Sequence, residues 1–135
     1  MIFDTGPIVA ALNEQDRDHR RCAELLQATA DLLIPAPVLV ELDYWLVKLG
    51  GPTVWRDFVD DLVGGAYRVV DLTEEDIQRA AELELTYSDL GLGFVDASVI
   101  ALSERLAIRD VATLDRRHVS VVRPRHCPHL TLHPD

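Results

Sequence analysis

Four carboxylates in this sequence stand in apolar company. Asp4 ends the opening run MIF and is followed at once by the turn signal Thr5-Gly6-Pro7. Glu41 lies in PVLVELDYW, one helical turn after Val38 and one before Trp45, with Asp43 as a rival two residues on. Asp96 lies inside FVDASVIAL between Val95 and Ala97, with Ile100 and Ser103 at i+4 and i+7. Asp115 follows the apolar segment VATL. Because 23 of 135 residues are acidic, no single one carries weight, and the shared setting is the signal. A charge in apolar surroundings is costly unless something neutralises it.

Each acid taken alone has a structural explanation. Asp4 would cap a following helix by accepting its backbone N–H groups, and Asp115 would cap a turn into RRH. Glu41 would lie on a partly exposed helix face. Asp96 is the hardest to explain this way. If the four converge, two unit charges about 4 Å apart repel by about 4 kcal/mol at an effective dielectric of about 20. Several such pairs exceed a typical stability margin of about 5–15 kcal/mol. Protonation or a bound cation relieves the repulsion. Oxygen-only ligands suit hard ions such as Mg²⁺ or Mn²⁺. An acid cluster holding such ions suits phosphodiester cleavage, where the ion activates water and stabilises the leaving oxygen.

The elements that must position these acids follow from periodicity and turn chemistry. MIF predicts a short strand broken by Gly6-Pro7. IVAALN opens a helix that DHRRCAELLQAT continues, with Cys22, Leu25, Leu26 and Thr29 on one face. DLLIPAP predicts a second strand. Pro37 opens the helix PVLVELDYWLVKLG, which stops at Gly50-Gly51-Pro52, and TVWRDFVDDLV forms another. AYRVVDL predicts a third strand, and Thr73 with Asp76 forms a capping box for TEEDIQRAAELELTYSDL. GFVDASVIALSERL is apolar nearly all round and predicts a buried helix. IRDVATL predicts a fourth strand, and VSVVR or the segment after it a fifth. Strands alternating with helices give an α/β layer structure with a parallel sheet. Ligands in such sheets bind outside the carboxyl ends of the strands, which is where Asp4 and Asp115 fall.

A length of 135 residues, with no repeat or linker-like run, predicts one domain over 1–135. Asp4 interrupts any signal-peptide run, and no stretch reaches the roughly 18 apolar residues of a membrane span. Cys22 and Cys127 form no CxxC pair and read as free thiols in a reducing cytoplasm. The net charge of −10 argues against a general nucleic-acid binder. Arg105, Arg109, Arg116, Arg117, Arg123 and Arg125 nevertheless predict a basic flank that the overall charge conceals. His126, Cys127, His129 and His133 in HCPHLTLH match no standard zinc spacing, and a terminal strand is the better reading. Tyr44, Trp45, Trp55 and Phe58 read mainly as core, with room for a groove or dimer contact. Asp89 reads as a surface residue.

The segments FDTGPIVAAL, IPAPVLVEL, LGFVDASVIALSERL and ATLDRRHVSVVRP resemble the successive motifs of PIN-domain ribonucleases, most nearly the VapC-type toxins of bacterial toxin–antitoxin pairs. No one motif is specific, but the ordered set spans nearly the whole chain. The resemblance implies a three-layer α/β/α domain with a central, mostly parallel sheet of four to five strands. It places the family's acidic quartet on Asp4, Glu41, Asp96 and Asp115, and so selects Glu41 over Asp43. It further implies a Mg²⁺- or Mn²⁺-dependent endoribonuclease leaving 5′-phosphate and 3′-hydroxyl ends. It implies a homodimer inhibited by a cognate VapB-type antitoxin whose C-terminal segment covers the groove. Thr5 and Thr113, near quartet acids, are expected to donate hydrogen bonds to carboxylate or phosphate. Arg116, Arg117 and Arg123 are expected to neutralise RNA phosphates. Many relatives carry an aromatic after the DRRH histidine, where this chain has Val119. Two rivals follow: a catalytically silent PIN-like module acting by binding, which loss of a quartet acid would favour, and a phospho-accepting signalling domain. The second wants a late lysine, and Lys48 is the chain's only one.

Overall fold

The computed structural model describes residues 1–135. Five short strands, β1 (Ile2–Phe3), β2 (Leu33–Pro35), β3 (Arg68–Val70), β4 (Asp110–Ala112) and β5 (Thr131–His133), form one sheet in the order β3-β2-β1-β4-β5. Every pairing is parallel. The opening apolar run thus becomes the central strand, with Ile2 and Phe3 fully buried.

Helices α1 (Thr5–Leu12) and α2 (His19–Ala28) join β1 to β2, and α3 (Val38–Gly50) and α4 (Pro52–Val63) join β2 to β3. A 3₁₀ turn at Ser88–Leu90 separates α5 (Glu74–Thr86) from α6 (Phe94–Leu106) on the way to β4, and α7 (Arg116–Val119) precedes β5. The chain moves outward from β1 to β3, then returns past β1 to β4 and β5. Right-handed crossovers running in opposite directions put their helices on opposite faces. Accordingly α1 packs on α2 and α3, α3 on α4, and α5 along α6. The result is a three-layer α/β/α structure. The reversal of direction at β1 opens a crevice at the carboxyl ends of β1 and β4.

Local chemistry accounts for the element ends. Thr73 and Asp76 form the expected capping box, the Thr73 hydroxyl accepting from the Asp76 N–H at 3.1 Å and the Asp76 carboxylate from the Thr73 N–H at 3.0 Å. Gly51, at φ +85°, turns α3 into α4 with Pro52 opening the new helix. In α6 every residue from Ala97 to Ser103 is buried. Two ion pairs clamp α6 to α5: Arg79 to Glu104 at 2.8 Å and Arg105 to Asp76 at 2.8 Å. No helix is long and apolar enough to cross a membrane.

One expectation needs correction, and one open alternative is decided. The helix expected from IVAALN through DHRRCAELLQAT is two helices. Asn13 Oδ1 accepts from the Gln15 N–H at 3.1 Å and Asp16 Oδ1 from the Asp18 N–H at 2.8 Å, side-chain bonds that compete with the helical ladder. Of the two places expected for a fifth strand, it is the later one, Thr131–His133 inside HCPHLTLH, and not VSVVR. Val119 and Val122 are instead buried, 3% and 2% exposed, so the apolar residues of that segment pack into the core from a helical turn and loop. The His/Cys group does not converge on a metal: His126 Nε2 contacts the Ile108 carbonyl at 2.9 Å and His133 Nε2 the Asp110 carboxylate at 2.9 Å. Cys22 and Cys127 are free thiols. The aromatics divide, with Phe58 buried against Trp55 and Tyr67 while Tyr44 and Trp45 lie exposed on α3.

Candidate active site

Four segments deliver carboxylates to the crevice. The Asp4 N–H donates to the Ala112 carbonyl at 2.9 Å, which fixes the ends of β1 and β4 side by side. Asp4 is indeed the N-cap of α1, its Oδ1 accepting from the Thr5 N–H at 2.8 Å. Its other oxygen, Oδ2, accepts from the Thr113 hydroxyl at 2.9 Å. Capping and facing the crevice are therefore not alternatives, since one carboxylate has enough lone pairs for both.

Glu41 sits in the first turn of α3, where the buried stripe Val38, Leu42 and Leu46 sets the helix orientation. The Thr5 hydroxyl donates to Glu41 Oε1 at 2.6 Å. Asp43 faces away, beside Val40, Tyr44, Val47 and Lys48. Asp96 occupies the first turn of α6 and is half-buried. Asp115 caps α7, accepting weakly from the His118 N–H at 3.4 Å, and its Oδ2 lies 2.7 Å from His118 Nδ1. The Thr113 hydroxyl, which donates to Asp4, also accepts from the Asp115 N–H at 3.1 Å. Thr5 and Thr113 thus tie quartet acids to one another rather than only satisfying local backbone. Gly6 lets this corner close: a Cβ there would lie 3.3 Å from that of Leu114.

Asp4, Glu41, Asp96 and Asp115 line one open cleft of about 610 Å³, with Thr5, Gly6, Val9, Asp16, Trp45 and Leu114. No lysine or arginine lines it. The titration of the acids records their crowding. Burial pushes the Asp4 carboxyl above its ordinary value, against the bonds from Thr5 and Thr113, and Glu41 and Asp115 add to the rise. Asp96 is pushed up to about 6, first by burial and then by the charges of Asp4, Asp115 and Glu41, with His118 opposing. Ligand atoms of Asp96, Asp115 and His118 all lie within 4.8 Å of one another. An oxygen-rich donor set with no cation from the protein fits a hard divalent ion.

The arginines lie elsewhere. Arg116 donates to the carbonyls of Leu132 and Pro134, while Arg117 and Arg123 are exposed and outside the cleft. The expected basic flank is neutralised in part, because Arg105 pairs with Asp76 and Arg125 with Glu82. Two cleft-side groups were not among the expected site residues. His118 follows Asp115 at i+3 in DRRH, a spacing that places both on one face of a helical turn and was open to recognition. Asp16 lies in the polar turn NEQDRD, where nothing distinguishes it from its neighbours.

Comparison with known proteins bears on this geometry. Residues 1–124 match the family model of the PIN domain. The chain is 34% identical over 125 residues to Ribonuclease VapC26 of Mycobacterium tuberculosis, covering 92% of this chain and 93% of that one. Among solved structures, M. tuberculosis VapC20, described as a toxin that cleaves the sarcin-ricin loop, superposes with a TM-score of 0.74 at 22% identity, over 82% of this chain and 87% of that one. VapBC2 from Rickettsia felis, solved with a DNA fragment from its promoter, gives 0.67 at 20% identity over 98% of each chain. At those identities the two structures speak for the fold alone.

Proposed function

This chain belongs to the PIN-domain family, and from that premise we propose that it is a divalent-metal-dependent endoribonuclease of the VapC type. It is the toxin of a type II pair, cytoplasmic, homodimeric and held inactive by a VapB-type antitoxin. The observation that carries the reading is the gathering of Asp4, Glu41, Asp96 and Asp115 in one cleft whose lining contains no basic side chain.

Those four carboxylates would hold Mg²⁺ or Mn²⁺, with His118 beside Asp115. Bound there, the ion supplies charge neutralisation, an activated water and stabilisation of the leaving oxygen. The chain's own residues hold the geometry. The Thr113 hydroxyl donates to Asp4 and accepts from the Asp115 backbone N–H, which ties the chain at the end of β1 to the start of α7. Thr5 does the same for Glu41 across α1 and α3. Arg117 and Arg123 are free to meet RNA phosphates outside the cleft, whereas Arg116 is committed to the C-terminal carbonyls.

The test is cleavage of structured RNAs by the purified, antitoxin-free protein with Mg²⁺, with Mn²⁺ or with chelator, beside Asp4→Asn and Asp96→Asn. Metal-dependent cleavage lost in both variants is expected. Cleavage that survives chelation, or that the variants perform equally, rejects the reading. The silent-module alternative has no support, since each quartet position keeps its acid.

A further inference from the structure

The acidic cleft continues beyond its carboxylates. A second groove, of about 350 Å³, leaves it between α1 and α3, and the two share Val9, Asp16 and Trp45. Asn13, Lys48 and Leu49 complete the groove. Along α3, Glu41, Trp45 and Lys48 follow at i, i+4 and i+7, which places them on one stripe. The helix face that brings Glu41 to the other acids therefore presents an indole next and an ammonium beyond it. Trp45 is 45% exposed, and Lys48 Nζ lies 5.2 Å from its ring centroid.

We propose that this groove is a nucleobase subsite for a single-stranded nucleotide adjoining the scissile phosphate. The base stacks on Trp45, Lys48 meets the nucleotide's phosphate, and Asn13 and Asp16 read the base edge. The inference rests on the nuclease reading above and deepens it by naming where a flanking nucleotide is held. Indole faces accept any base, and such stacking is the common currency of single-strand recognition. The polar groups are set for readout. Asn13 Oδ1 and Asp16 Oδ1 are each anchored by a turn N–H, leaving the Asn13 amide N–H groups and the second Asp16 oxygen to face a ligand. One donor beside one acceptor is what an exposed Watson–Crick edge requires.

Charge favours RNA over an apolar peptide here. Lys48 is the only lysine in a chain of net charge −10, and its recorded contacts are the aromatic faces of Tyr44 and Trp45. That one cation stands at the outer end of the groove that opens from the acid cleft. A wholly apolar partner would find Asn13, Asp16 and Lys48 a poor lining.

The experiment uses the full-length protein in Mn²⁺ and an oligoribonucleotide that it cleaves, in which each nucleotide around the cut is made abasic in turn. One abasic position is expected to raise KM roughly tenfold with kcat little changed, the scale of a lost stack. Trp45→Ala should raise KM by the same factor on the intact oligonucleotide, and the two losses should not add. Trp45→Phe should recover most of the loss, which a merely structural role would not predict. Wild-type KM in Trp45→Ala, or losses that add at every position, overturns the subsite while leaving the nuclease reading standing. Intact cleavage with weakened binding to a co-expressed antitoxin would assign the groove to a protein and overturn the proposal equally. Absence of cleavage of any oligonucleotide by the wild type sinks the nuclease reading and this one with it.

Discussion

At Asp96 two demands oppose each other. The metal-free protein holds this carboxyl among three other acids, and the site needs it ionised to bind a cation. Its value is raised from the ordinary 3.8 to about 6, so its contribution to metal-free stability is full below about 3.8 and is lost as pH rises through about 6. Asp96→Asn should remove that loss. In chelator at pH 7 the variant should be more stable by about 1 kcal/mol, allowing for solvent screening of a half-exposed group. At this size the midpoint shifts by about 3–5 °C, readable in a thermal melt. Cleavage should fall at least ~100-fold in the same variant. A variant less stable than the wild type in chelator would show that neither burial of the charge nor its acidic neighbours burden Asp96 in the metal-free protein. Thr113 gives a second test. Thr113→Val removes the donor to Asp4, a buried bond, and the acceptor for the Asp115 N–H, a part-buried one, and should cost about 1–3 kcal/mol of stability. Thr113→Ser should restore both stability and cleavage. Asp4, Asp96 and Asp115 were open to reading because each interrupts or ends an apolar run, whereas only the family resemblance separated Glu41 from Asp43. Asp16 was not, because a polar turn hides one more acid among its own kind.

At the scale of elements, the α5–α6 clamp carries a prediction of opposite pH sign. Burial alone would raise the Glu104 carboxyl, but the paired bonds from Arg79 and the Arg125 N–H outweigh it and hold it below its ordinary 4.5. Stability from Glu104 is therefore present above about 4.5 and lost as pH falls below that. Glu104→Gln should cost about 2 kcal/mol at pH 7, leaving the Arg79 guanidinium without its partner. By urea unfolding, the gap to wild type should narrow steadily under pH 4.5. A constant gap would mean that the clamp acts by packing alone. The two helices were legible in advance because the Thr73–Asp76 capping box and the apolar run Ala97–Leu102 are local signals. The break between α1 and α2 was not, because it depends on which of two hydrogen-bond partners the Asn13 and Asp16 side chains choose. The bounds of β5 were not legible either, although HCPHLTLH read as a terminal strand, since three residues held by β4 are specified by their neighbour rather than by their own pattern.

For the molecule as a whole, a net charge of −10 must be reconciled with a polyanionic substrate. Most arginines stand in ion pairs, Arg17, Arg20, Arg21, Arg56 and Arg68 on the surface and Arg79, Arg105 and Arg125 in or beside the clamp, and Arg116 is held by the C-terminal carbonyls. Few cations remain to displace counterions from RNA: Lys48, Arg109, Arg117 and Arg123. A basic nuclease contacting many phosphates loses affinity steeply with salt, at roughly 0.7 powers per phosphate neutralised on a single strand. Here four contacts set a ceiling of about −3 on the slope of log affinity against log salt. Long-range repulsion works the other way, because the screening length falls from about 30 Å at 0.01 M to about 10 Å at 0.1 M. Added monovalent salt should therefore weaken RNA association little, and below about 0.05 M it should accelerate it. Divalent ions should do both jobs at once, filling the acid cleft and relieving the repulsion, so KM should fall with Mn²⁺ even past the concentration that saturates kcat. Measuring KM across KCl at fixed Mn²⁺ decides the matter. A slope as steep as that of an arginine-rich nuclease would mean that the internal ion pairs open to serve the substrate, and that the charge distribution seen in the free protein is not the one that meets RNA.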